Sequence, residues 1–113
     1  MTKRILSVIQ WIAVTNGFHL KDDAREMVRL GDGGLLSIQA SRHHLCDPQQ
    51  DNAKRYRSIE IGSKGVHEGP LSAAGLLVEY FHKRRGTVIF ARVPIDVAER
   101  YVMMRGGILV GSG

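Results

Sequence analysis

Leu35-Leu36-Ser37-Ile38-Gln39-Ala40-Ser41 alternates apolar and polar side chains, which puts Leu36, Ile38 and Ala40 on one face of a strand and Ser37, Gln39 and Ser41 on the other. A half-buried strand of this kind belongs to an antiparallel sheet with one covered face. Gly31-Asp32-Gly33-Gly34 precedes it as a hairpin turn, and Met27-Val28-Arg29-Leu30 supplies the partner strand.

Outward from this hairpin the punctuation stays legible. Cys46 to Asn52 carries Pro48 and a polar run, so the chain leaves the sheet in a loop there. Tyr56-Arg57-Ser58-Ile59-Glu60-Ile61 alternates again and stops at Gly62, and Thr87-Val88-Ile89-Phe90-Ala91-Arg92-Val93 is a compact β run closed by Pro94. Pro70, followed by Leu71, Ala74, Val78 and Phe81 at helical spacing, reads as an amphipathic helix ending in Lys83-Arg84-Arg85 with Gly86 beyond. Asp96, three residues before Glu99, reads as the capped start of a helix through Met104, stopped by Gly106-Gly107, with Ile108-Leu109-Val110 as a closing short strand.

At the other end, residues 5–14 are rich in β-branched side chains and run into Thr15-Asn16-Gly17. We read them as a strand, with a short helix as the alternative, and Phe18-His19-Leu20 as its return. The charged stretch Lys21-Asp22-Asp23-Ala24-Arg25-Glu26 interrupts that return strand. The expected architecture is α+β: a mainly antiparallel sheet of four to six strands with two helices on one face. At 113 residues it is expected as one domain.

Sixteen Lys and Arg against eleven Asp and Glu give a net charge of +5, which favours an anionic partner but also suffices to keep a small domain soluble. The single cysteine, Cys46, cannot close an intramolecular disulfide, so a reducing compartment, the cytoplasm, is expected. Ser7 and Gln10 interrupt the apolar start, which argues against a signal peptide, and the run is too short to span a bilayer.

Arg42-His43-His44-Leu45-Cys46-Asp47 gathers the chemically versatile side chains. Three functional readings compete. His44 and Cys46, with Asp47 or a distant histidine, could hold zinc, although paired ligand spacings are missing. Cys46 beside a histidine could act as a nucleophile. Arg42, with Arg55 or Arg57 and a histidine, could hold phosphate oxygens through charge-assisted hydrogen bonds, the reading we prefer among the three. A solvated basic rim with a structural histidine fits the same residues equally well.

Lys54-Arg55-Tyr56-Arg57 interleaves an aromatic ring with cations, a combination that can stack a base and pair with phosphate. Tyr56 and Arg57 point to opposite faces of an ideal strand, so one site uses both only where the strand bends or forms an edge. Lys83-Arg84-Arg85 is accounted for by the preference for cations at a helix end. Phosphate-loop, His-Glu-x-x-His and Gly-x-Ser-x-Gly signatures are missing. Catalysis is not excluded, but nothing in the sequence argues for it, and no cofactor is expected.

Gln39-Ala40-Ser41-Arg42, Cys46-Asp47-Pro48, Tyr56, Ile59-Glu60-Ile61-Gly62 and the stretch from Val93-Pro94-Ile95 to Gly107 resemble small proteins encoded in tailed-phage genomes. Some proteins of this kind counter host defence by binding an immune nucleotide signal without degrading it, usually as oligomers. The resemblance carries no functional residue across. Combined with the cations around one aromatic, it implies a non-enzymatic anti-defence protein, a homo-oligomer in the host cytoplasm that holds a nucleotide signal. Arg42, His44, Arg55 and Arg57 would meet phosphates and Tyr56 a base. The alternative is an anti-CRISPR-type or nucleic-acid-interacting protein that docks on a host nucleoprotein complex, and neither reading needs a membrane.

Overall fold

The computed structural model describes residues 4–17, 24–64, 81–84 and 87–110. Seven strands form one sheet: β1 (Arg4–Leu6), β2 (Val28–Leu30), β3 (Leu35–Gln39), β4 (Ser58–Lys64), β5 (Phe81–Arg84), β6 (Thr87–Pro94) and β7 (Ile108–Val110). Two helices accompany them, α1 (Val8–Thr15) between β1 and β2 and α2 (Ile95–Met104) between β6 and β7. The sheet order is β1-β7-β2-β3-β4-β6-β5, and every neighbouring pair is antiparallel.

Tracing strand directions along that order makes β1 parallel to β2 and β6 parallel to β7, neither pair adjacent. Each helix is therefore a crossover between parallel strands, which a tight turn cannot make. The two helices pack on each other, and α2 also rests on β4 and β6. Val8 and Ile12 of α1 and Ala98, Tyr101 and Val102 of α2 meet Leu30, Leu36, Ile38, Ile59, Ile61 and Ile108 of the sheet in one buried core. No helix among the described residues is long and apolar enough to cross a membrane.

The α+β architecture and the antiparallel sheet are as the alternation implies, with seven strands instead of four to six and β4 starting after Arg57 and running past Gly62 to Lys64, while three further local expectations differ. Most of residues 5–14 is helix. Ser7 is the N-cap: its Oγ accepts from the Gln10 amide at 3.1 Å and Gln10 Oε1 accepts from the Ser7 amide at 2.9 Å. This reciprocal box outweighs the strand preference of the β-branched residues, because such a cap is worth about 1 kcal/mol and burial of Val8 and Ile12 about 2 kcal/mol each.

Second, Glu99 does not cap its own helix. Pro94 is the N-cap of α2 without a side-chain cap, and Glu99 instead accepts from the Val8 amide at 2.5 Å and the Ile9 amide at 3.4 Å. A carboxylate thus meets the positive end of α1 from 91 residues away in sequence. Third, Phe81–Arg84 is a strand paired with β6, so Lys83 and Arg84 extend the sheet instead of closing a helix. The expected helix from Pro70 and the return strand at Phe18-His19-Leu20 lie outside the described residues, apart from Phe81 itself.

The β4–β6 ladder shifts register between Ile59 and Ile61, leaving Ala91 and Arg92 opposite Glu60. Arg92 adopts φ 50°, and its amide donates to the Leu45 carbonyl at 3.0 Å. This β-bulge fastens the long loop between β3 and β4 to the sheet. That loop carries most of the residues singled out from the sequence.

Candidate functional site

A cavity of about 470 Å³ opens where α1, the end of the β3–β4 loop and the start of α2 meet. Ile9, Ile12, Ala13 and Asn16 form one wall, recurring at helical spacing along a single stripe of α1. Ala53, Lys54, Arg55 and Tyr56 form the opposite wall, and Ile95 completes the lining.

Hydrogen bonds hold these walls in place. Tyr56 Oη donates to the Gln50 carbonyl at 2.5 Å and accepts from the Ala53 amide at 3.2 Å, closing the loop on itself. Asn52, in the left-handed region at φ 51°, turns its Oδ1 to the Gly17 amide at 2.9 Å and so ties the loop to the end of α1. The Ile95 amide donates to the Arg57 carbonyl at 3.0 Å.

The lining is mostly apolar, and its charged members among the described residues are Lys54 and Arg55. Lys54 and Arg55 are exposed, and among the described residues no carboxylate lines the cavity. In a partly apolar concavity such cations attract an anion more strongly than on open surface, because less water screens them.

Of the five residues expected to bind a ligand, Arg55 and Tyr56 line this cavity and Arg42, His44 and Arg57 do not. Tyr56 is only 6% exposed and belongs to the core, so its ring acts as a wall and not as an open stacking plate. Arg42 Nε lies 3.5 Å from Asp51 Oδ2, and Arg57 Nη1 lies 3.8 Å from Asp47 Oδ2. An anion arriving at either arginine competes with a carboxylate already there. His44 is half-buried, with Nδ1 2.6 Å from Ser41 Oγ.

Cys46 is buried, and its thiol donates to the Ser41 carbonyl at 3.2 Å. Burial pushes its pKa up. This is the reverse of the depressed pKa that activates a cysteine nucleophile. Among the described residues no group of three or more His, Cys, Asp or Glu is placed to hold a metal ion.

Arg25 is not among the site residues expected from the sequence, where it stands as one charge in a polar stretch. It is 2% exposed. Nε donates to Thr15 Oγ1 at 2.7 Å, Nη1 to the Ala40 carbonyl at 2.5 Å and Nη2 to Asn16 Oδ1 at 2.5 Å. Gln39 clasps its backbone, accepting from the Arg25 amide at 2.6 Å and donating to the Arg25 carbonyl at 2.8 Å. Gln39, a polar-face residue of β3, is buried for this reason. The Thr15 hydroxyl donates to the Trp11 carbonyl at 2.7 Å, which leaves the Oγ1 lone pairs to accept from the guanidinium.

No family model, curated protein or solved structure matches the chain.

Proposed function

We propose that this protein binds a small organic anion of nucleotide type in the cavity between α1 and the Ala53–Tyr56 wall, without transforming it. The supporting observation is an apolar cavity whose charged lining residues, among those described, are the cations Lys54 and Arg55. Its volume falls within the range of small-molecule sites, about 300–1,000 Å³. The apolar lining would accept a base or another flat body by dispersion and desolvation, while Lys54 and Arg55 meet phosphate oxygens. The Arg42 and Arg57 ion pairs favour this cavity over the broader five-residue site, since neither arginine offers an uncontested charge. Sequestration of a defence signal, as the phage resemblance implies, is one use of such binding.

Isothermal titration with AMP, cyclic AMP and cyclic di-AMP, each set beside neutral adenosine, tests the proposal. Heat from at least one anion, several-fold stronger affinity than for adenosine, and loss of that preference in Lys54→Ala/Arg55→Ala are expected. No heat from any of the three overturns it. Recovery of the nucleotide intact after denaturing the protein distinguishes holding from cleavage, and native mass spectrometry reads the assembly state in the same sample.

A further inference from the structure

The residue that selects the ligand's polar group is legible in the hydrogen bonds behind the cavity wall. A guanidinium carries five N–H donors and no acceptor. The atom that Asn16 turns towards Arg25 Nη2 is therefore its oxygen, and the orientation of this amide is fixed by chemistry. The amide nitrogen sits on the opposite branch of the same planar group, and no hydrogen bond to it exists among the described residues. Asn16 at the same time lines the cavity.

Arg25 is held too firmly to swing away. Nε, Nη1 and Nη2 are each engaged, its backbone is clasped on both sides by Gln39, and it is 2% exposed. An arginine so placed stays charged even though burial lowers its pKa, because its reference value lies so high. Asn16 also ends α1 as its C-cap, so the helix and the guanidinium fix it together. A donor pair oriented before the ligand arrives loses little freedom on binding, which favours affinity.

We propose that Asn16 is the specificity-determining residue of the cavity, its amide N–H groups meeting an acceptor oxygen of the ligand, a phosphate or a carboxylate, and that Arg25 is the positioning residue that holds it in that sense. This rests on the cavity reading above. It implies discrimination against ligands that present a donor at the same place.

Asn16→Asp separates the two roles of the residue. The carboxylate keeps the oxygen facing Arg25 and gives the buried cation an opposite charge, while the donors are lost. The expected result is an unfolding temperature equal to or above that of the parent, together with AMP binding weakened roughly tenfold or more, the scale of a lost hydrogen bond to a charged group. Adenosine affinity should change far less. Salt screens a contact inside such a concavity only in part, so the neutral Asn16→Leu, which loses the donors without adding a charge, is titrated alongside and should lose AMP affinity to a similar degree.

A folded Asn16→Asp or a folded Asn16→Leu that binds AMP as the parent does overturns the amide's role and leaves the cavity reading standing. A parent that binds no AMP, cyclic AMP or cyclic di-AMP brings down both.

Discussion

Arg25 and Arg105 do the same mechanical job in opposite surroundings. Arg25 ties the end of α1 to the end of β3 through Thr15, Asn16 and Ala40, all neutral, and it is almost fully buried. Arg105, just past α2, ties that helix to the β2–β3 turn through a carboxylate: Nε donates to Asp32 Oδ2 at 2.7 Å, while Nη1 donates to Tyr101 Oη at 2.8 Å. Its side chain is 22% exposed and that of Asp32 43%. Their ionisation shifts in opposite directions. Burial lowers the Arg25 pKa, whereas the hydrogen bond to Asp32 raises that of Arg105. The contrast teaches that a buried cation can be held by oriented dipoles, while a partly exposed ion pair is weakened by the water around it.

Removing Arg25 should therefore have the largest effect. Arg25→Ala strands the oxygens of Ala40, Asn16 and Thr15, and at about 1–3 kcal/mol for each buried unsatisfied group a loss of about 3 kcal/mol or more is expected in urea unfolding. Arg25→Lys should fall between this and the parent, since it keeps the charge without the fork. A loss for Arg25→Ala no larger than that for Arg105→Met would break the comparison.

At the Arg105 end, backbone packing should outweigh charge. A Cβ on Gly31 would run into the Gly106 backbone, which sits at φ 91°, so the two backbone segments touch without side chains between them. Gly31→Ala is expected to cost about 2 kcal/mol through overpacking, read as a lowered urea midpoint. Arg105→Met should cost less than about 1 kcal/mol, and the difference from the parent should shrink as salt rises.

Acid sharpens the contrast further. The hydrogen bond from Arg105, then that from the Gly34 amide, holds the Asp32 carboxyl below the usual range. A group whose folded pKa is depressed contributes stability above its unfolded value, about 4, and loses it as pH falls through the folded value. Asp32→Asn should flatten the part of the stability curve below about pH 4, by a small amount because the carboxylate is screened. Arg25 adds no slope there, because an arginine does not titrate in that range.

The smallest disturbance is chemical. Cys46 feels Arg25 as a weak attraction that burial outweighs, so Ellman's reagent at mild alkaline pH should react slowly with the native chain and rapidly in denaturant. Fast native reaction would show the buried cation activating the thiol after all.

Legibility of the fold followed the range of the interactions. The β2–β3 hairpin, β4, β6, α2 and β7 were readable because alternation, glycines and prolines act on immediate neighbours. For α1 the local signal was present in Ser7 and Gln10, but β-branched composition masked it, and the Glu99 cap comes from the far end of the chain. In the candidate site, cations flanking an aromatic pointed to Arg55 and Tyr56. The same logic grouped Arg42 and Arg57 with them, because sequence does not show that Asp51 and Asp47 come to face those arginines.

Composition and periodicity by themselves determined an α+β chain with an antiparallel sheet, a positive charge and a β3–β4 loop rich in polar chemistry, since each is a property of residues close in sequence. Which cations remain available, why Arg25 is buried, and that a stripe of α1 closes a cavity with Ala53–Tyr56 were decided only in three dimensions. Dielectric surroundings and hydrogen-bond partners depend on which distant segments pack together, and that packing fixed Asn16 with its oxygen towards Arg25.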